Sequence, residues 1–413
     1  MLLITIDTLR ADRLGLYGYD RPTSPCLDGF AQGAVVFEEA QAAASWTLPS
    51  LASVHTAEHP STHGCWNFGS VLDGSFTTLA ELLLAAGYDT ACVASHLFAT
   101  SRHGLQQGFV HSDDSYAYPE VDPAESITSQ VISDKAIRFL DQKRDSPDEA
   151  PWFLWLHYFD PHDEYMQHPG ISALFESPAP REPKQVYGDA YEGEIRYTDQ
   201  HVGRVLDALR DDGFTKNTVV VVVADHGEEF DDHGAFRHGH TLYHELVHVP
   251  LIVKAPRTPP RRVQDVVRQV DVLPTIVDLV GLPVPQGAGR SLVPLMFGHE
   301  LEEIPALSEL DLNANHFDGL RTQRYKIVRN SEKGTTALFD EEADPGEYVD
   351  VASQHPDVVQ ALLTEMDRQQ SVARERARQF HVTPELTFTP GQQEDLEGLG
   401  YVGEDGHVVE DQQ

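Results

Sequence analysis

The chain has 413 residues, enough for a large buried core, and carries 66 Asp and Glu against 30 Lys and Arg, a formal charge of -36. That charge is spread along the chain and repels duplex DNA and anionic membranes, so nucleic-acid and membrane-surface binding are not expected. Only seven of the basic residues are Lys, and a carboxylate-rich surface poor in Lys suits a high-salt cytoplasm, where charge repulsion is screened.

The first residues, M-L-L-I-T-I-D, lack a basic leader, and no later run is long enough to span a bilayer, which leads to the expectation of a soluble cytoplasmic protein. Cys26, Cys65 and Cys92 form no CxxC pair and no even disulfide framework, as expected of reduced structural thiols.

In chain order, apolar runs at Leu2–Ile6, Thr90–Ala94, Phe153–His157, Val219–Ala224 and Val249–Val253 predict buried strands. Helices are expected at Ser24–Gln32, Pro49–Thr56, Thr78–Ala86, Ala124–Leu140, Tyr187–Leu209 and Val270–Val280. This alternation predicts a largely parallel sheet covered by helices on both faces. Beyond about Pro294, short segments at Phe317–Val328 and Thr335–Phe339 suggest a small antiparallel unit, followed by a helix near Asp357–Arg378 and a polar tail. The expected division is a catalytic α/β domain at 1–298, a small α+β subdomain at 299–380 and an acidic tail at 381–413.

Ligands of open α/β sheets gather beyond the carboxyl ends of the strands. Two predicted strands end there in acids, at Asp7 and at Asp225 followed by His226. Carboxylate oxygens beside an imidazole suit a divalent cation such as Mn, Mg or Zn, with Ca less at ease with nitrogen.

Between these strands lies A-S-W-T-L-P-S, in which Pro49 presets the first turn of a helix and places Thr47 near its amino terminus. Either Thr47 or Ser45 simply caps that helix, or Thr47, bound to a cation, is a nucleophile. Histidines follow in H-Y-F-D-P-H-D-E-Y and in F-R-H-G-H-T-L-Y-H-E-L-V-H. Of these, His162 and His240 stand where strand-end loops could converge, while His233, His244 and His248 read as surface or supporting residues.

Taken together, I-T-I-D-T-L-R-A-D-R-L-G, W-T-L-P-S-L-A-S, D-P-H-D-E-Y, A-D-H-G-E-E, H-T-L-Y-H-E-L and A-L-F-D-E-E-A-D-P-G-E resemble the sulfatase family of the alkaline phosphatase superfamily. The resemblance implies an αβα sandwich with a large, mostly parallel sheet and a smaller C-terminal antiparallel sheet. It implies hydrolysis of sulfate or phosphate esters of a small molecule or glycan, with a divalent metal ion (Mn, Mg, Zn or Ca) held by Asp7, Thr47, Asp225 and His226. In that comparison Thr47 takes the nucleophile position, and His162 and His240 contact the transferred group or the leaving oxygen. His96 is a weak substitute for a missing Lys-Trp-His element, and Arg10 and Asp12 orient their neighbours.

The departures bear on the substrate. A secondary alcohol at Thr47 cannot yield the formylglycine of true sulfatases, and Leu51 replaces the Arg of the nucleophile motif. A Thr nucleophile with an Asp-His pair resembles the phosphodiesterase and phosphotransferase branches, so phosphoester or phosphodiester substrates are expected. The alternatives are sulfate-ester cleavage without formylglycine and a degenerate protein that binds an anionic ligand without turnover.

Overall fold

The computed structural model describes residues 1–115, 128–146 and 150–387. Strands β1 (Leu2–Ile6), β2 (Val35–Gln41), β3 (Asp89–Ala94), β4 (His111–Asp113), β5 (Trp152–Tyr158) and β6 (Val220–Ala224) are followed by a short hairpin, β7 (Glu229–Phe230) and β8 (Phe236–Arg237). Then come β9 (His248–Lys254) and β10 (Arg261–Arg268). All but the hairpin form one 8-stranded sheet in the order β10-β2-β9-β6-β1-β5-β3-β4.

β9 runs antiparallel to β2 and β6, and the remaining pairs are parallel, so the sheet is mostly parallel with one reversed strand. Every residue of β1 is buried, as an inner strand covered on both faces requires, and this explains its unbroken apolar sequence.

The helices begin where local chemistry allows. Thr78 and Glu81 close a reciprocal capping box ahead of the helix Leu79–Ala85. The long helix expected at Tyr187–Leu209 spans Pro183–Asp211, because Pro183 occupies its first turn and Glu182 and Gln185 satisfy its first amides. The segment expected to be helical at Val270–Val280 divides into a tight turn at Gln269–Asp271 and a helix at Val272–Leu279, the turn being fixed by Arg268 pairing with Asp271. The helix expected at Ala124–Leu140 spans Ser129–Asp145, and residues 124–127 lie outside the described residues.

Strands β2 and β10 escape a simple reading of apolar runs. In β10, R-R-V-Q-D-V-V-R, charged residues face outwards at the first positions and only the later ones are consistently buried.

Past the large sheet, β11 (Ala306–Leu312), β12 (Asn315–Arg321), β13 (Tyr325–Asn330) and β14 (Thr335–Asp340) form an antiparallel meander, with the helix Pro356–Ala377 beyond it. The stretch expected as one segment, Phe317–Val328, is two strands, because Thr322 turns the chain by bonding the amide and carbonyl of Tyr325. A separate small core joins this sheet to its helix through Leu307, Leu320, Ile327, Leu338, Leu362 and Met366.

The meander also touches the loop before Thr47: the Glu309 amide donates to Ala43 O at 2.8 Å and Ser308 Oγ donates to Ala42 O at 2.6 Å. Of the expected tail, residues 388–413 lie outside the described residues. Among the described residues no helix is long and apolar enough to cross a membrane.

Candidate active site

Register places the candidate residues side by side. β1 lies between β6 and β5, with Ile6 opposite Ala224 and Thr5 opposite His157. Asp7 and Asp225 therefore leave neighbouring strands at the same level, and β3, the next strand beyond β5, delivers His96 just past its carboxyl end. A cavity of about 940 Å³ lies at the opposite ends of these strands, lined by Met1, Trp152 and Val219, and takes no part in this arrangement.

The backbone is bent to suit. Thr8 has a φ of 52°, a left-handed value costly for a β-branched residue, and its amide turns back to donate to Asp225 Oδ1 at 3.2 Å. The His226 amide donates to the same oxygen at 2.8 Å. Gly227 is required by a close approach, since a Cβ there would stand 1.9 Å from Glu245 O. Gln269, which sequence patterns do not reveal, accepts from the Ala43 amide and donates to the carbonyls of Ala224 and Asp225, joining the Thr47 loop to β6.

Asp225 Oδ2 and both oxygens of Asp7 are buried and accept no hydrogen bond from the described residues. Burial, then the nearby Glu228, pushes Asp7 well above the usual carboxylate range. Burial, then Asp7 itself, does the same to Asp225. Unpaired buried carboxylates are costly unless a proton or a cation meets them. His226 points the same way: its Nδ1 lies 2.9 Å from Gly227 O, an acceptor only, so the neutral ring donates there and turns the lone pair of Nε2 towards the two acids. Nε2 is 3.6 Å from Asp7 Oδ1 and 3.6 Å from Asp225 Oδ2. Ligand atoms of Asp7, Asp225 and His226 all lie within 4.8 Å of one another, so these residues fit a divalent cation.

Thr47 opens the buried helix Thr47–Thr56, and its hydroxyl is 3.3 Å from His226 Nε2. Trp46 is the N-cap residue of this helix and makes no side-chain cap bond, and among the described residues Ser45 Oγ has no hydrogen-bond partner. Trp46 is instead an anchor, packed edge-on against Phe68 and Phe98 at 5.5 Å each. Leu51, one turn further on, is fully buried in the apolar core.

A ring of imidazoles completes the site. His96 lies 5.6 Å from His162 between ring centres, His162 lies 4.9 Å from His238, and His238 lies 4.5 Å from His226. His162 is held by its own neighbour, with Nδ1 2.5 Å from Asp163 O. Burial and adjacent rings push His96, His162 and His226 well below the ordinary imidazole value.

His240 pairs with Glu229 at 2.8 Å. His238, two residues earlier and not singled out by sequence, takes the place beside His162, bonded to Glu228 at 2.9 Å. The deciding contact is the Gly239 amide donating to Ser45 O at 2.9 Å, which lays the R-H-G-H strip across the Thr47 loop. Arg10 is buried and binds Asp12, Asp232 and Glu228 O, which anchors the loop after Asp225.

Residues 1–282 match the family model described as Sulfatase. The chain belongs to the sulfatase family. Residues 231–372 of this sulfatase-family chain also match a model described as N-sulphoglucosamine sulphohydrolase, C-terminal. Arylsulfatase K of Gallus gallus is 35% identical over 180 residues, covering 40% of this chain and 33% of that protein, so the match spans only a third of that relative. Iduronate 2-sulfatase of Mus musculus is 24% identical over 425 residues, covering 74% and 75%.

Among solved structures, a protein in complex with its substrate D-glucosamine-2-N,6-O-disulfate superposes with a TM-score of 0.79 at 19% identity, covering 91% of this chain and 98% of that one. The phosphonate monoester hydrolase of Agrobacterium radiobacter superposes with a TM-score of 0.74 at 21% identity, covering 89% and 95%. These likenesses establish the fold that the sulfatase-like motifs imply, a large mixed sheet with helices and a smaller antiparallel sheet.

Proposed function

We propose that this sulfatase-family chain is a metal-dependent ester hydrolase with Thr47 as its nucleophile, acting on monoanionic phosphoesters, namely phosphodiesters and phosphonate monoesters of a small molecule or glycan. The observation that carries this reading is the convergence of Thr47 Oγ1, His226 Nε2, Asp7 and Asp225 at the amino terminus of one buried helix.

Asp7, Asp225, His226 and Thr47 would hold a divalent ion, whose Lewis acidity would lower the pKa of the threonine hydroxyl. Thr47 Oγ attacks phosphorus in line; the new P–Oγ bond forms as the bond to the leaving oxygen breaks, and the proton lost from the threonine hydroxyl ends on that oxygen, which leaves as the alcohol. His162 and His238, adjacent at 4.9 Å and neutral, are the groups placed to take up the threonine proton and pass it to the leaving oxygen. The amides of the helix's first turn face the charge on the non-bridging oxygens. Water then cleaves the P–Oγ bond and restores Thr47.

Charge supports the choice of a monoanionic group. Two buried carboxylates balance one divalent cation, and the neighbours that complete the site are buried imidazoles, with Leu51 where the family motif carries Arg. Such a site offers less compensation to a dianionic phosphate monoester than to a singly charged diester.

The test is a hydrolysis screen of matched aryl phosphodiester, phosphonate monoester, phosphate monoester and sulfate ester, with Mn, Mg, Zn and Ca, at low and high salt. Diester or phosphonate turnover that Thr47→Ala abolishes while folding and metal content persist supports the proposal. Unchanged turnover by Thr47→Ala defeats the nucleophile assignment; a sulfate preference defeats the substrate class. Metal binding without turnover of any ester identifies a degenerate binding protein.

A further inference from the structure

Two loops carry the imidazoles that stand side by side at the site: residues 159–165 bring His162, and the strip after β8 brings His238, with ring centres 4.9 Å apart. Asp163 touches both loops. Its backbone carbonyl lies 2.5 Å from His162 Nδ1, and its carboxylate Oδ2 lies 2.8 Å from Nη2 of Arg237, the residue before His238. A carbonyl oxygen only accepts, so the neutral His162 ring donates from Nδ1 and carries its lone pair on Nε2. The guanidinium only donates, so the direction of the second contact is fixed as well.

The backbone of Arg237 is set for this contact. It is the last residue of β8, and in a regular strand it and His238 would point to opposite faces. Its φ of 74° lies in the left-handed region, which a residue such as Arg seldom adopts. That turn lets two consecutive side chains meet one loop: the guanidinium reaches Asp163, and the next ring meets His162. Strain of this kind persists only where surrounding contacts hold it. The hairpin gives little hold of its own, since β7 and β8 pair through two residues each.

The side chain of Asp163 is 11% exposed and that of Arg237 is 49% exposed. A half-exposed ion pair adds little stability, so its effect lies in geometry. Proton transfer needs its partners within hydrogen-bond reach, and small misplacements of such groups are costly to rate.

We infer that the Arg237–Asp163 ion pair is a positioning clamp that holds His162 and His238 together as the relay passing the Thr47 proton to the leaving oxygen. Arg237 and Asp163 act through the two rings and give up no proton themselves. The inference rests on the proposed reading of Thr47 as nucleophile and of the two imidazoles as its relay, and adds two residues to it.

The test uses the full chain loaded with Mn²⁺ and a series of aryl methyl phosphodiesters whose phenol runs from dinitrophenol to unsubstituted phenol. In wild type, kcat is expected to depend only weakly on the acidity of the phenol, because the departing oxygen is protonated. Arg237→Asn accepts the left-handed backbone, and Asp163→Asn keeps the side-chain shape. Both are expected to steepen that dependence, with kcat lowered about 100-fold for phenol and about threefold for dinitrophenol. KM, metal content and thermal midpoint move little. Arg237→Lys recovers most of the loss, and the double variant is no worse than either single change, because the same contact is lost in each.

Equal losses for every leaving group show a merely structural role and overturn the inference. A rise in KM alone also overturns it, by making Arg237 a substrate contact, and so do losses that multiply in the double variant. If Arg237→Asn fails to fold, the slope measured for Asp163→Asn decides. Each of these outcomes leaves the Thr47 reading standing. A wild type that turns over no diester, or that keeps its rate in Thr47→Ala, removes that reading and this inference with it.

Discussion

At the scale of single residues, the site depends on which nitrogen or oxygen each side chain turns inwards. His238 and His240 are two positions apart in R-H-G-H, yet His238 stands among His162 and His226 while His240 pairs with Glu229. His238→Ala is therefore expected to lower kcat/KM for the best ester by about 100-fold or more, with metal content intact, and His240→Ala by much less. Steady-state kinetics of the two variants beside metal analysis checks this. Asp7, Thr47, Asp225 and His226 could be picked from sequence because strand ends and helix starts are where ligand chemistry gathers. His238 could not, since nothing in R-H-G-H says which histidine a backbone bond from Gly239 to Ser45 turns inwards.

At the scale of elements, the strands were readable wherever both faces are covered. Leu2–Ile6 is such a strand, and its apolar run has the boundaries of the strand itself. β10 was not readable, because its charged residues lie at an exposed beginning and its burial is decided by pairing with β2. The C-terminal helix is joined to its sheet by a small core in which Met366 is fully buried. Met366→Ala is expected to destabilise that contact by about 2–5 kcal/mol. A separate early unfolding transition, followed by hydrogen exchange in Pro356–Ala377, is the expected signature, whereas one unchanged cooperative transition contradicts it. Because Glu309 and Ser308 bond the loop before Thr47, the antiparallel unit also supports that loop.

At the scale of the whole molecule, buried titratable groups link stability to pH in two opposed senses. Burial holds His55, His59 and His63 down at about 3, far below the ordinary 6.5. Each stays neutral in the fold but takes up a proton on unfolding once the pH falls below 6.5, so stability is lost from there down towards pH 3. The slope is about 1.4 kcal/mol per pH unit for each such histidine. Asp7 and Asp225 are shifted upwards, so their contribution is present at low pH and is lost as pH rises, unless a cation takes the place of the proton. Denaturant midpoints should therefore fall steeply below about pH 6, and added Mn²⁺ should stabilise the protein more at pH 8 than at pH 5.5. A midpoint flat from pH 7 to pH 4, or a cation effect independent of pH, contradicts this account.

The sequence by itself determined the αβα architecture and the residue types that gather at the strand ends, because buried parallel strands are written as unbroken apolar runs and their ends as acids and histidines. Only the tertiary structure decided which donors meet. Strand order puts β1 between β5 and β6, and that neighbourhood, which no local pattern encodes, brings His157 to one oxygen of Asp7 and His226 to the other.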